Sequence, residues 1–188
     1  KLGVSVGVSE STVVRFAIEL GFSGYPKLQK SLQELIKNKL TTVQRLELSS
    51  DYITEGHALK GVLKADMENI RSTMEKIDYN TFEDVVNNIF AAKRIYIIGL
   101  RSSMALAEFL GFYLNIILQN VKTVGYGISD IFEQMINVGE GDLVIGIGFP
   151  RYASRTIDAL AFAQDRGATV VAVTDSFLSP LAARADYS

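Results

Sequence analysis

Four short runs set the pattern of the chain. Residues 94–99 (RIYIIG), 142–148 (DLVIGIG) and 168–175 (ATVVAVTD) are apolar and β-branched with little polar alternation, and 121–126 (VKTVGY) is a weaker version of the same pattern. Such runs predict strands, the continuous ones buried on both faces. Helical spacing fills the intervals at 104–119, around 129–137 and at 154–166. The alternation predicts an α/β fold, a parallel sheet with right-handed crossovers. The helix at 104–119 has Glu108 as its only charge and is apolar nearly all round, which calls for cover from the sheet and from another subunit.

Upstream the period is helical. Over 58–78, Leu63, Met67, Ile70, Met74 and Ile77 alternate by four and three, an apolar seam of the kind that packs helix on helix. Asn80 with Glu83 predicts a capping-box-like start to a second helix carrying Val85, Val86, Ile89 and Phe90. At the front, Val6 to Ser9 reads as a tight turn with Ser9 as N-cap. A helix over 10–20 follows, with Val13, Phe16, Ala17 and Leu20 on one face and Ser11, Thr12, Arg15 and Glu19 on the other. Gly21 ends it, and Pro26 opens another helix with Leu28, Leu32, Leu35 and Ile36 at helical spacing. Helix, glycine turn and second helix make the layout of a helix-turn-helix, and also of many packed helical hairpins. Residues 41–57 have no clear period and read as a linker ending at His57.

Composition narrows the classes. The 188 residues are 48% hydrophobic and 21% charged, enough for one α/β domain and a small appendage. No run of about 18 uncharged apolar residues occurs, so no membrane-spanning helix is expected. Zero cysteines exclude disulfides and thiolate metal sites and fit a cytoplasmic protein, and a single histidine excludes a multi-histidine site within one chain. No metal and no cofactor are expected. The net charge of −2 is uneven: residues 1–40 hold six basic and three acidic side chains, net +3, which leaves −5 for the rest. A basic front on an acidic body suggests a nucleic-acid contact confined to the front.

Parallel sheets bind ligands beyond the carboxyl ends of their strands. Here those ends carry Leu100 to Ser103, Phe149 to Thr156 and Asp175 to Ser179. Ser102 and Ser103 at a helix start read in two ways, as N-caps or as part of a phosphate cradle using unpaired amides and the positive end of the helix.

The phrases VGVSESTVVRFAIELGFSGYPKLQ from Val6, RIYIIGLRSSMALAEFLGFYL from Arg94, and GDLVIGIGFPRYASRT with GATVVAVTDSFLSPLAARAD from Gly141 onward resemble the RpiR family of bacterial transcriptional regulators. That family joins an N-terminal helix-turn-helix to a sugar isomerase (SIS) domain that senses phosphosugars. The resemblance implies a partial helix-turn-helix over 1–40, a linker over 41–57, and over 58–188 a flavodoxin-like SIS sandwich with helices on both faces. It implies operator DNA, a sugar-phosphate effector and a second copy of the chain as partners. Ser11, Thr12 and Arg15 would meet DNA. Arg101, Ser102, Ser103, Arg151, Ser154 and Thr156 would hold the phosphosugar, with no catalytic residue.

Two departures stand out. The family's Ser-x-Ser-Gly-x-Thr loop is replaced by Gly148-Phe149-Pro150-Arg151-Tyr152-Ala153-Ser154-Arg155-Thr156, which displaces both serines and adds the Arg151 guanidinium. The chain also starts partway into the helix-turn-helix and stops at Asp186 to Ser188, where the family begins another strand, so a fragment is expected. The alternative is an SIS-type phosphosugar isomerase, which needs a carboxylate base and often a histidine. A dinucleotide-dependent oxidoreductase fits poorly, because the turn after Gly99 lacks the second and third fingerprint glycines.

Overall fold

The computed structural model describes residues 7–29, 31–32, 58–127 and 129–188. Val6, Leu35, Ile36, the expected linker at 41–57 and His57 lie outside the described residues. The chain divides into two compact units, Lys1–Met67 and Glu68–Ser188.

In the first unit, helix α1 spans Glu10–Glu19 and is capped by Ser9, whose hydroxyl accepts the Thr12 amide at 3.2 Å. Gly21, at φ +83°, ends it, with the Phe22 amide returning to the Ala17 carbonyl at 3.0 Å. Residues 25–29 and 31–32 are helical again, with Pro26 in the first turn. The buried stripe is narrower than the spacing predicts. Val13, Ala17 and Leu28 are buried, but Phe16 and Leu20 are more than half exposed. Val13 and Ala17 sit one turn apart along one line, and the other two flank it.

Helix α2 covers Ala58–Lys76 and α3 covers Tyr79–Ala91. The α2 seam is present but not covered as expected: Leu63, Met67, Ile70, Met74 and Ile77 all lie exposed. The α3 start also corrects the expectation. Asp78, not Asn80, is the N-cap, and its carboxylate accepts the Asn80 amide at 3.1 Å and the Thr81 hydroxyl at 2.8 Å.

The second unit holds a four-stranded parallel sheet ordered β2-β1-β3-β4: β1 Ile95–Gly99, β2 Val121–Val124, β3 Leu143–Ile147 and β4 Thr169–Val173. Every residue of β1 and β3 is buried, which is why their sequences do not alternate. Helix α4 (Ser103–Ile117) contributes Ala107 and Leu110, with Val85 and Ile89 of α3, to the core over Ile95, Ile97 and Ile145. The opposite face carries α5 (Ile131–Gln134) and α6 (Ser154–Asp165), whose Ile131, Ala159 and Leu160 pack with Ile98, Val144 and Val170. The expected α/β architecture with helices on both faces is therefore present. Beyond β4, Tyr187 makes a parallel bridge to Val171, which is where the sequence places the start of a further strand.

At the opposite end of the sheet from the ligand-binding turns, Arg94 forks onto the buried Asp142 at 3.1 and 2.7 Å, and Asp142 also accepts the Gly139 amide. This pair ties β1 to the entry of β3, since a buried carboxylate needs all its lone pairs engaged.

Candidate functional site

The order β2-β1-β3 puts a switch point between β1 and β3, where the chain leaves in opposite directions and a crevice opens past the strand ends. Gly99 closes β1 against the start of α4: a side-chain carbon there would stand 2.5 Å from the Ser103 carbonyl oxygen. Only glycine allows so short a step from strand to helix. Across the register, Gly99 pairs with Ile147 at the end of β3. The turns that follow, Leu100 to Ser103 and Gly148 to Arg151 with Ala153 and Thr156, line one cleft of about 430 Å³, counting its open mouth.

The structure thus brings together Arg101, Ser102, Ser103, Arg151 and Thr156. Ser154 is not in the lining; it opens α6 and is exposed. Ser103 and Thr156 are 7% and 2% exposed, and among the described residues their hydroxyls make no hydrogen bond and stay open to the cleft. The capping role available to the serine pair is not taken up: Ser102 has helical backbone angles and neither serine caps α4, while the N-cap position of α6 is Ala153, which has no capping side chain. By contrast Ser9, Asp78 and Asp130 cap their helices. Among the described residues, the α-helices that start in this sheet unit without a side-chain cap are the two that point at the cleft, where their amides and dipoles favour an anion.

Arg101 and Arg151 hold left-handed backbone, φ +57° and +71°, the only non-glycine residues to do so among those described. Both are exposed and make no ion pair among the described residues. A left-handed non-glycine residue costs about 1–2 kcal/mol, and such positions cluster at functional sites.

Around the cleft the acids are engaged. Asp130 completes a capping box with Glu133 and pairs with Arg155, and the Phe132 amide first, then Arg155, hold its carboxyl below the usual range. Asp175, at the end of β4, accepts the Tyr152 hydroxyl at 2.7 Å. Burial, then that bond, pushes the Tyr152 phenol up to about 12. Neither the Asp130–Arg155 pair nor the Tyr152–Asp175 bond was anticipated, although Asp130-x-x-Glu133 is a legible capping signature. Among the described residues, no group of three His, Asp or Glu is placed to hold a metal ion.

On α1, Ser11, Thr12 and Arg15 lie together on the exposed face. The Ser11 and Thr12 hydroxyls are each 2.8 Å from the Ser9 hydroxyl, so the cap orders the side chains at this helix start.

The fold and cleft define a parallel α/β domain with two helix starts facing one crevice. The SIS domain family model matches residues 88–188, and the chain belongs to that family. Its relatives include an HTH-type transcriptional regulator of Haemophilus influenzae, 31% identical over 185 residues, with 96% of this chain and 63% of the relative covered. Another HTH-type regulator, of Clostridium perfringens, is 26% identical, with 96% and 64% covered. The chain therefore spans slightly under two thirds of the length of these curated relatives. Among solved structures, the sugar isomerase domain of an RpiR transcription factor from Sphaerobacter thermophilus superposes with TM-score 0.66 at 33% identity, over 70% of this chain and 73% of that one. The Vibrio vulnificus NanR protein complexed with ManNAc-6P shares the fold, with TM-score 0.59 at 21% identity, over 98% of this chain and 64% of that one. Among the described residues no helix is long and apolar enough to cross a membrane.

Proposed function

We propose that this chain is the sensing part of a dimeric cytoplasmic transcriptional regulator, in which the SIS cleft binds a phosphorylated sugar and the occupied state alters the grip of the N-terminal helices on operator DNA. The observation that carries the reading is the convergence of two uncapped helix starts, the cleft-facing hydroxyls of the largely buried Ser103 and Thr156, and two guanidiniums without an ion pair among the described residues. Such a set holds a dianionic phosphate through charge-assisted bonds. Its similarity to HTH-type regulators and to an RpiR sugar isomerase domain supports a regulator. The helix pair at 10–32, with Ser11, Thr12 and Arg15 on its exposed side, supplies the DNA-facing element. The lining is made of hydroxyls, guanidiniums and apolar groups, which bind anions; aldose–ketose isomerisation needs a carboxylate or imidazole to move a proton. The cleft therefore reads as a sensor in preference to an isomerase.

Thermal unfolding against matched phosphorylated and free sugars tests this. A selective shift by phosphorylated members is expected, lost in the Ser103→Ala/Thr156→Val double variant, because binding to the folded state stabilises it by mass action. Equal shifts by free and phosphorylated sugar would remove the phosphate cradle.

A further inference from the structure

The alternation by four and three on α2 is a heptad, and the charges beside it choose both a partner and a direction. With Leu63 at a d position, Met67 and Met74 fall at a, and Ile70 and Ile77 at d. The Ile77 amide still bonds to the Thr73 carbonyl at 2.9 Å, so the helical period holds to the end of the seam. Leu63, Met67, Ile70 and Met74 are each more than half exposed, and none of the side chains described on α2 is buried. A 19-residue helix with an apolar seam and no core of its own has the pattern of one strand of a coiled coil.

The same register puts Asp66 at g, and Lys64 and Arg71 at e. In a parallel pair of identical helices, each g residue faces the e residue five positions on in the other strand. Asp66 then meets the partner's Arg71, and the two-fold axis repeats the contact. Turned antiparallel, with Met67 against the partner's Ile70, e faces e, and Lys64 meets the partner's Arg71 in two like-charged contacts. Arg71 also bonds Glu75 in its own helix at 3.0 Å, which leaves guanidinium donors for a second carboxylate. Lys60 holds the first a position, and a single polar residue at a fixes register and strand number at a cost in stability. Taking the chain as the dimer of the proposed function, we propose that α2 pairs parallel and in register with α2 of a second copy. Leu63, Met67, Ile70 and Met74 each meet their own counterpart, and the two chains enter the seam from the same end.

The chain has no cysteine, so introduced ones report the pairing directly. Oxidation of the whole chain carrying Leu63→Cys or Met74→Cys should give disulfide-linked dimers from each, because identical positions face one another at both ends of a parallel seam. Ala65→Cys, exposed on the outer side of the helix, should give few. An antiparallel pair would leave both single variants unlinked and join only the Leu63→Cys/Met74→Cys double variant, and α2 seated on α4 of the partner would link none. Either result, in a chain that sediments as a dimer, overturns the α2 pairing and leaves the dimer standing, whereas a monomeric chain removes both. Linking at Ala65→Cys equal to that at Leu63→Cys marks random collision and also overturns it. Arg71→Glu should weaken dimerisation about fivefold or more, since it turns two attractive contacts into repulsive ones, and adding Asp66→Arg should restore most of the loss. A loss that Asp66→Arg does not rescue overturns the parallel register.

Discussion

Arg101 and Arg151 hold the backbone conformation usually left to glycine, and both do so at the mouth of the same cleft. Nothing in their identity announces this, since arginine prefers negative φ and neither position holds the Asn or Gly that marks a left-handed residue. The residues of the site were legible as polar groups following strands, but the strain was not. Nor was the absence of caps: serine at a helix start is the common sign of one, yet Ser102 takes helical angles and its hydroxyl stays free. Tyr152 offers a direct measurement at this scale. Its phenol is raised to about 12 by burial and by its bond to Asp175, so the folded protein keeps the proton where the unfolded chain, with an ordinary value near 10, gives it up. Stability from this group is therefore complete below pH 10 and is lost as pH rises through about 12. In a spectrophotometric titration of the folded protein, Tyr152→Phe should remove one late-ionising phenol and flatten the fall in melting temperature above pH 10. An unchanged late phase would show that Tyr152 is not the late-ionising phenol.

Elements were more legible than their edges. The central strands were readable because both faces are buried, so the apolar signal is uninterrupted from Ile95 to Gly99 and from Leu143 to Ile147. Helix starts depend on a single side chain finding an amide, and the choice between Asp78 and Asn80 was settled by backbone angles that composition does not encode. Gly99 joins element to site. A methyl there would meet the Ser103 carbonyl oxygen at 2.5 Å and the Ala107 side chain at 3.2 Å, and a backbone atom inside a packed layer has no cheap way to move. Gly99→Ala should cost about 1–3 kcal/mol, the range for overpacking, by displacing the start of α4. Because that start also forms one wall of the cleft, phosphate-ligand affinity should fall with stability. Chemical denaturation and titration on the same variant test both, and a stable variant with intact binding would mean that α4 is not anchored through this contact.

At the scale of the whole molecule, exposed apolar surface is the most informative finding. Helix α4 packs Ala107 and Gly111 inward, yet turns Phe109, Phe112, Tyr113 and Ile116 outward, all at least half exposed, with Glu108 as its only charge. The Phe109 and Tyr113 rings pack tilted, 4.8 Å between centres, and Tyr113 meets Phe112 edge-on at 5.3 Å, forming one continuous aromatic patch. A patch of this kind on a lone chain marks an interface, and the sequence already called for a second subunit against this helix. Standard interfaces remove roughly 800 Å² per partner, with aromatic residues enriched at their core. Exposed Leu63, Met67, Ile70 and Met74 on α2 form a second apolar stripe of the same character. For DNA binding the consequence is geometric: two helix pairs at 10–32 can read two half-sites only if the subunits are held together. The chain should therefore sediment as a dimer or larger at micromolar concentration. A Phe109→Asp/Phe112→Asp variant, whose new charges would face a desolvated partner, should sediment as a monomer while keeping the circular dichroism of the folded sheet unit. A wild-type chain that stays monomeric under these conditions would leave the α4 patch without its partner and remove the dimer from the proposed mechanism.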